Sequence, residues 1–147
     1  MRKIFVKRQN SSDNRGFTLI ELLIVMVIIG LLASLVAPTM FKKVGGAKRK
    51  TARAQIALLG TALDSYRLDN DVYPTTAQGL EALRVKPEGA KHWDGPYMPK
   101  NIPNDPWGNK YVYKSPGDHG DYDMTSYGVD GQSGGDEDKA DINSWEN

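Results

Sequence analysis

Residues 17–37 read FTLIELLIVMVIIGLLASLVA, a run of 21 with one charge, Glu21. As a helix rising 1.5 Å per residue, the run measures about 31 Å, close to the roughly 30 Å hydrocarbon core of a bilayer. An apolar helix can also form the core of a soluble protein. Here the remaining ~110 residues are too polar to cover such a helix on every side. Residues 1–16 carry five cations (Arg2, Lys3, Lys7, Arg8, Arg15) and one acid, Asp13. Positive charge before an apolar run holds the N-terminus in the cytoplasm and sends the C-terminal part across the membrane. A secretory signal fits poorly. Its apolar region is shorter and ends in a small-residue cleavage site, whereas Ala33-Ser34 lies inside this run and Pro38 comes directly after Ala37.

The chain as a whole is nearly neutral, with 19 Lys+Arg against 18 Asp+Glu. That balance is the sum of opposed regions. Residues 42–54 hold Lys42, Lys43, Lys48, Arg49, Lys50 and Arg53 with no acid, while residues 115–147 hold nine of the acids and one cation, Lys139. Neutrality gives no electrostatic footprint for nucleic acid, and the chain is not an acidic disordered tail. The basic stretch is read as a solvated helix face beside the membrane or a contact with anionic headgroups, with an acidic patch on a neighbouring copy as the preferred partner. Cysteine is absent, which excludes disulfides, thiolate zinc, iron–sulfur clusters and a cysteine nucleophile.

Glu21 is the anomaly in the apolar run. A charged side chain at the centre of a membrane helix costs roughly 2.5–3.5 kcal/mol, and less near an end. A carboxyl at interfacial depth is one reading. The other is pairing: a cut after Gly16 leaves Phe17 with a free α-amine, and Glu21 can neutralise that amine on a neighbouring chain.

Past Pro38, residues Ala52, Ile56, Leu59, Leu63 and Tyr66 recur every three or four positions, an apolar stripe on a helix, with Lys50, Arg53, Gln55, Asp64 and Arg67 on the other side. One helix from about Phe17 to Leu68 is predicted. Pro38 is expected to kink or locally break it, and Gly45-Gly46 to soften it. Asp69-Asn70-Asp71 ends it. Thr75-x-x-Gln78 has the spacing of a capping box, predicting a short helix that buries Leu80 and Leu83. Five of the eight prolines fall between residues 87 and 106, an irregular loop. Tyr111–Tyr113 and Tyr122–Tyr127 read as short strands. Trp93, Tyr97, Trp107, Tyr111 and Tyr113 are read as core and loop anchors in preference to a base-stacking surface. The fold class is α+β, an amphipathic helix laid across a small antiparallel sheet.

Residues 130–141, DGQSGGDEDKAD, combine hard oxygen donors with glycines. Calcium takes six to eight such oxygens. The spacing is not that of an EF-hand, and composition alone favours a solvated acidic loop over a calcium site. There is no GxSxG, P-loop or HExxH motif, and His92 and His119 lie in polar loops. The chain reads as the substrate of an enzyme, not as an enzyme.

The string Arg15-Gly16-Phe17-Thr18-Leu19-Ile20-Glu21-Leu22-Leu23 resembles the type IV pilin and pseudopilin signature. Tyr73–Leu83, Asp105–Tyr111, Ser115–Gly117, Ser126–Gly131 and Ala140–Trp145 together resemble the major pseudopilins of bacterial type II secretion. The resemblance implies a type IV pilin-like fold, a long N-terminal helix, membrane-spanning then amphipathic, packed on a small antiparallel sheet with a C-terminal calcium loop. It implies a leader at residues 1–16, a transmembrane and filament-core helix at 17–37 and a periplasmic domain at 38–147. A prepilin peptidase would cleave between Gly16 and Phe17 and N-methylate Phe17, and Glu21 would serve assembly.

The resemblance also implies one structural calcium, held by the carboxylates of Asp130, Asp141 and Asp138 and the backbone carbonyls of Tyr127 and Gln132. The partners it implies are further copies of the chain in a helical filament, minor pseudopilins, the inner-membrane assembly platform and the membrane, with no nucleic acid. The rival readings are a type IV pilus subunit, a minor pseudopilin, or a single-pass membrane-anchored binding module.

Overall fold

Helix α1 spans Leu19–Asn70, 52 residues, in the computed structural model, which describes residues 16–136 and 139–146. The chain divides into two units, Met1–Met40 and Phe41–Asn147.

In the first unit, the described residues from Leu19 onward are helical and every one but Ala37 is exposed. Leu, Met and Ala favour helix, and the β-branched residues among them lose only a little. The helix is uninterrupted at Pro38 and at Gly45-Gly46, so the local break expected there is absent. A proline ring fixes φ at a helical value, and the donor it lacks leaves only the Ser34 carbonyl without its usual partner. The ladder on either side closes over that single gap.

The second unit is built on the predicted stripe. Ala52, Ile56, Leu59, Leu63 and Tyr66 are all buried, joined by Gly60 and Ala62. Gly60 is held small by its neighbour, because a Cβ there would lie 2.8 Å from the Tyr122 hydroxyl. The helix ends at Asn70, because the next residue, Asp71, takes a φ of 63°.

The capping box at Thr75 forms with both reciprocal bonds. The Thr75 N–H donates to Gln78 Oε1 (2.9 Å) and the Gln78 N–H to Thr75 Oγ1 (3.3 Å). The expected helix does not begin directly, because Gly79 takes φ 60°. A 3₁₀ turn, Leu80–Leu83, comes after it and buries Leu80, Ala82 and Leu83. The proline-rich segment is pinned by its aromatics. Trp93 Nε1 donates to the Ala82 carbonyl (2.9 Å), and the Tyr97 hydroxyl donates to Asp69 Oδ2 (2.7 Å). Tyr97 meets Tyr66 and Trp93 edge to face. Trp93 and Tyr97 thus act as anchors of this segment.

Among the described residues, three strands close the unit: β1 Val112–Lys114, β2 Asp123–Ser126 and β3 Ile142–Asn143. They are antiparallel in the order β1-β2-β3, with Tyr113 opposite Met124 and Thr125 opposite Asn143. Central β2 is buried at all four positions. The Tyr113 hydroxyl donates to the Pro74 carbonyl (2.8 Å), and burial pushes its pKa up to about 12. Strand β3 is absent from the sequence-based reading.

Candidate functional site

Two places carry the residues singled out from the sequence, one in each unit. The first is the start of α1. Gly16, Phe17 and Thr18 precede the helix, and Phe17 is 89 % exposed. Thr18 and Glu21 form a second capping box. Glu21 Oε2 accepts the Thr18 N–H (2.8 Å) and the Thr18 hydroxyl (2.9 Å), while the Glu21 N–H donates to Thr18 Oγ1 (3.2 Å). The carboxylate thus has a partner inside its own chain, and the box as a whole satisfies two of the helix's orphan N-terminal donors, the N–H groups of Thr18 and Glu21. The Thr18-x-x-Glu21 spacing encodes this contact, although the charge of Glu21 draws attention away from it. The Phe17 nitrogen here is an amide in the intact chain, so among the described residues Glu21 meets no amine. Arg15 and the rest of residues 1–15 lie outside the described residues.

The second place is the loop from Tyr127 to Asp141. Its backbone turns on Gly128, Gly131, Gly134 and Gly135, all at positive φ. At Gly135 a Cβ would sit 2.7 Å from the Lys139 carbonyl oxygen, so no side chain fits. Asp130 is exposed and its Oδ1 accepts the Gln132 N–H (3.3 Å). Asp141 reaches back across the loop, and its Oδ2 accepts the Gly134 N–H (2.8 Å). Its other oxygen, Oδ1, is enclosed and has no hydrogen-bond donor. Tyr127 and Asp141 line a cleft of about 270 Å³ on the sheet, together with Ser133, His119, Asp123 and Trp145. Asp138 lies outside the described residues. Among the described residues, no three His, Asp or Glu side chains come together. Among the described residues, a cation here would draw on the carboxylates of Asp130 and Asp141 and on backbone carbonyls.

Two contacts brace this loop from outside, and neither is visible in sequence spacing. Arg49 Nη1 donates to the Ala140 carbonyl (2.8 Å) across 91 positions. Asn109 Nδ2 donates to the Gly128 carbonyl (2.8 Å).

Beside the loop, Asp123 is held by the turn that precedes β2. Its carboxylate accepts the Asp118 N–H (2.8 Å), the His119 N–H (3.2 Å) and a bond from His119 Nδ1 (3.0 Å). Burial raises the Asp123 pKa, but these bonds and the His119 charge outweigh it and hold the group below the usual aspartate value. The His119 ring also stacks on Trp145 at 3.9 Å between centroids, 8° from parallel. His119 is half-exposed, and its work is to clasp the C-terminal segment.

A capped apolar helix, uncovered along one stretch and packed on a small antiparallel sheet along another, defines the class: a type IV pilin-like subunit. Residues 11–37 match the prokaryotic N-terminal methylation motif, and residues 39–145 match type II secretion system (T2SS), protein G. The chain is 46 % identical over 144 residues to a type II secretion system core protein G of Pseudomonas aeruginosa, covering 96 % of this chain and 99 % of that one. It is 50 % identical over 133 residues to the Vibrio cholerae protein of the same name, covering 88 % and 90 %. The crystal structure of the major pseudopilin from the type 2 secretion system of enterohaemorrhagic Escherichia coli aligns with a TM-score of 0.57 at 40 % identity, over 68 % of this chain and 88 % of that one. The chain belongs to the type II secretion system protein G family, the major pseudopilins.

Proposed function

We propose that this chain is the structural, non-catalytic subunit that polymerises into the type II secretion pseudopilus, a periplasmic fibre that drives folded proteins across the outer membrane. The observation that carries this reading is the bare first stretch of α1. Between Leu19 and Val36 the large apolar side chains are all at least 49 % exposed. Such a surface needs lipid before assembly and other copies after it. The precursor lies in the inner membrane with residues 1–16 in the cytoplasm. A prepilin peptidase cleaves between Gly16 and Phe17 and methylates Phe17. An inner-membrane platform then moves subunits into a fibre with minor pseudopilins. On cleavage, Glu21 exchanges part of its bonding to Thr18 for the amine of a neighbouring Phe17. Replacement of Glu21 by Ala is expected to abolish fibre assembly and secretion while the subunit still accumulates in the membrane. Intact secretion by that variant would overturn the pairing role.

The Tyr127–Asp141 loop is read as a structural calcium site. An enclosed carboxylate oxygen with no donor, Asp141 Oδ1, is what a hard cation would satisfy, and the donor set is oxygen throughout. Asp141, Asp130 and the carbonyls of Tyr127 and Gln132 would hold the ion, with Asp138 as a third carboxylate. The ion supplies charge neutralisation and order to a segment with few apolar groups of its own. Chelation is expected to lower the melting temperature of the second unit. An unchanged melting curve would overturn the calcium reading.

A further inference from the structure

The Asp105–Asn109 turn takes no part in the function proposed above, yet it is tied to the loop through buried polar contacts. Asp105 is 4 % exposed. Its Oδ1 accepts the N–H groups of Trp107 (3.0 Å) and Asn109 (2.8 Å), and its Oδ2 accepts the Ser126 hydroxyl (2.6 Å). Its own N–H donates to the Asn109 carbonyl (2.8 Å). The backbone of Asn109 is therefore fixed at both its donor and its acceptor. From that fixed base, the Asn109 amide holds the Gly128 carbonyl. The Gly128 N–H donates to Ser126 Oγ (3.3 Å), the same hydroxyl that binds Asp105. The first turn of the loop thus closes on one buried carboxylate. Gly131 packs directly over Asn109, where a Cβ would lie 3.5 Å from Oδ1. At the other end, Arg49 holds the Ala140 carbonyl, one residue before Asp141.

We propose that Asn109 is a positioning residue for a cation bound by the Tyr127–Asp141 loop, with Arg49 bracing the far end; this rests on the calcium reading of that loop. Residues 129–136 are all exposed and have no core to order them. Fixing a residue's backbone costs conformational entropy. A site whose donors are ordered before the ion arrives is spared that cost on binding, and its affinity is higher for it. Asn109 sets where Gly128 stands, and so aims the Tyr127 and Gln132 carbonyls and the Asp130 carboxylate. Arg49 does the same for Asp141. Neither side chain need touch the ion.

The test uses the full chain in detergent micelles, with Tb³⁺ luminescence as the probe and Ca²⁺ as the competitor. Melting is measured in parallel in calcium and in chelator. Asn109→Ala is expected to weaken calcium competition by about tenfold or more and to shrink the calcium-dependent rise in melting temperature. The melting temperature in chelator should move much less. Unchanged affinity, or equal losses with and without calcium, would overturn the positioning role and leave Asn109 a purely structural residue. If the parent chain binds Tb³⁺ and gains stability from calcium while the variant behaves like it, only this proposal fails. If the parent chain does neither, the calcium reading fails first. Arg49→Lys keeps the charge and loses the planar fork, and serves if Asn109→Ala does not fold. It is expected to lose several-fold in affinity, and no loss would overturn the brace.

Discussion

The two stretches of α1 share one backbone geometry and differ in what covers them. Toward the N-terminus, Ile24 and Ile28 are the least exposed of the large apolar residues, at 49 %. Further on, Ala52, Leu59 and Leu63 are at 0 %. The second stretch alternates apolar and polar positions with the helical period, so its own fold supplies its cover. The first is apolar on all sides, so its cover comes from outside the chain. Similar residue types serve two purposes, and the presence or absence of polar positions between them separates the two.

The largest test of this contrast is a matched pair of truncations. Leu63→Ala removes a fully buried side chain and is expected to cost roughly 2–5 kcal/mol of folding stability, read by chemical denaturation of the full chain in micelles. Leu23→Ala, in the bare stretch, is expected to leave that transition in place and to show itself in fibre assembly. Equal losses in folding stability would break the contrast, because the first stretch would then be drawing on the same core.

A smaller effect is expected at Asp105, where the cover is polar. Asp105→Asn keeps the volume but turns one acceptor into a donor facing Trp107 N–H and Asn109 N–H or the Ser126 hydroxyl. Leaving buried donors unpaired costs about 1–3 kcal/mol, visible in the denaturation midpoint. A midpoint within about 0.5 kcal/mol of the parent would show that these bonds are replaceable by water.

How much of the molecule is legible in the sequence depends on the range of the forces involved. The stripe from Ala52 to Tyr66 is a local periodicity, and all five named positions are buried as expected. Strand β1 carries Val112 and Tyr113, and β2 is marked by the tyrosines that flank it, Tyr122 and Tyr127. Strand β3 has only Ile142 and Asn143, sits beside an acidic loop, and exists because Thr125 and Ser126 offer it an edge. Two residues carry no periodicity, so only the fold reveals them. The same holds for the candidate loop. Its donors are evident from composition, but the braces from Asn109 and Arg49 lie 19 and 91 positions from the carbonyls they hold. At the start of α1 the Thr18–Glu21 box is written in the sequence. It is hidden there by the larger question of a charge in an apolar run.

Pro38 gives a prediction of about the size of one hydrogen bond. Pro38→Ala restores a donor to the Ser34 carbonyl and should stabilise the helix locally by about 1 kcal/mol. Slower amide exchange across residues 38–42 in micelles measures it. Faster or unchanged exchange would mean that the proline already costs the ladder nothing.

The smallest effect is electrostatic and belongs to the packed unit alone. Asp123 has its pKa held below the usual aspartate value by His119 and the Asp118 and His119 N–H groups, against the opposing pull of burial. A depressed carboxyl contributes stability above its unfolded-state pKa and loses it as pH falls through the folded one. Asp123→Asn should therefore melt slightly below the parent chain at neutral pH. The gap should close on acidification, within the range below the usual aspartate value. His119 is half-exposed, so solvent screens the pair and the gap stays small. A gap that persists unchanged to low pH would assign the effect to lost packing in β2 and not to charge.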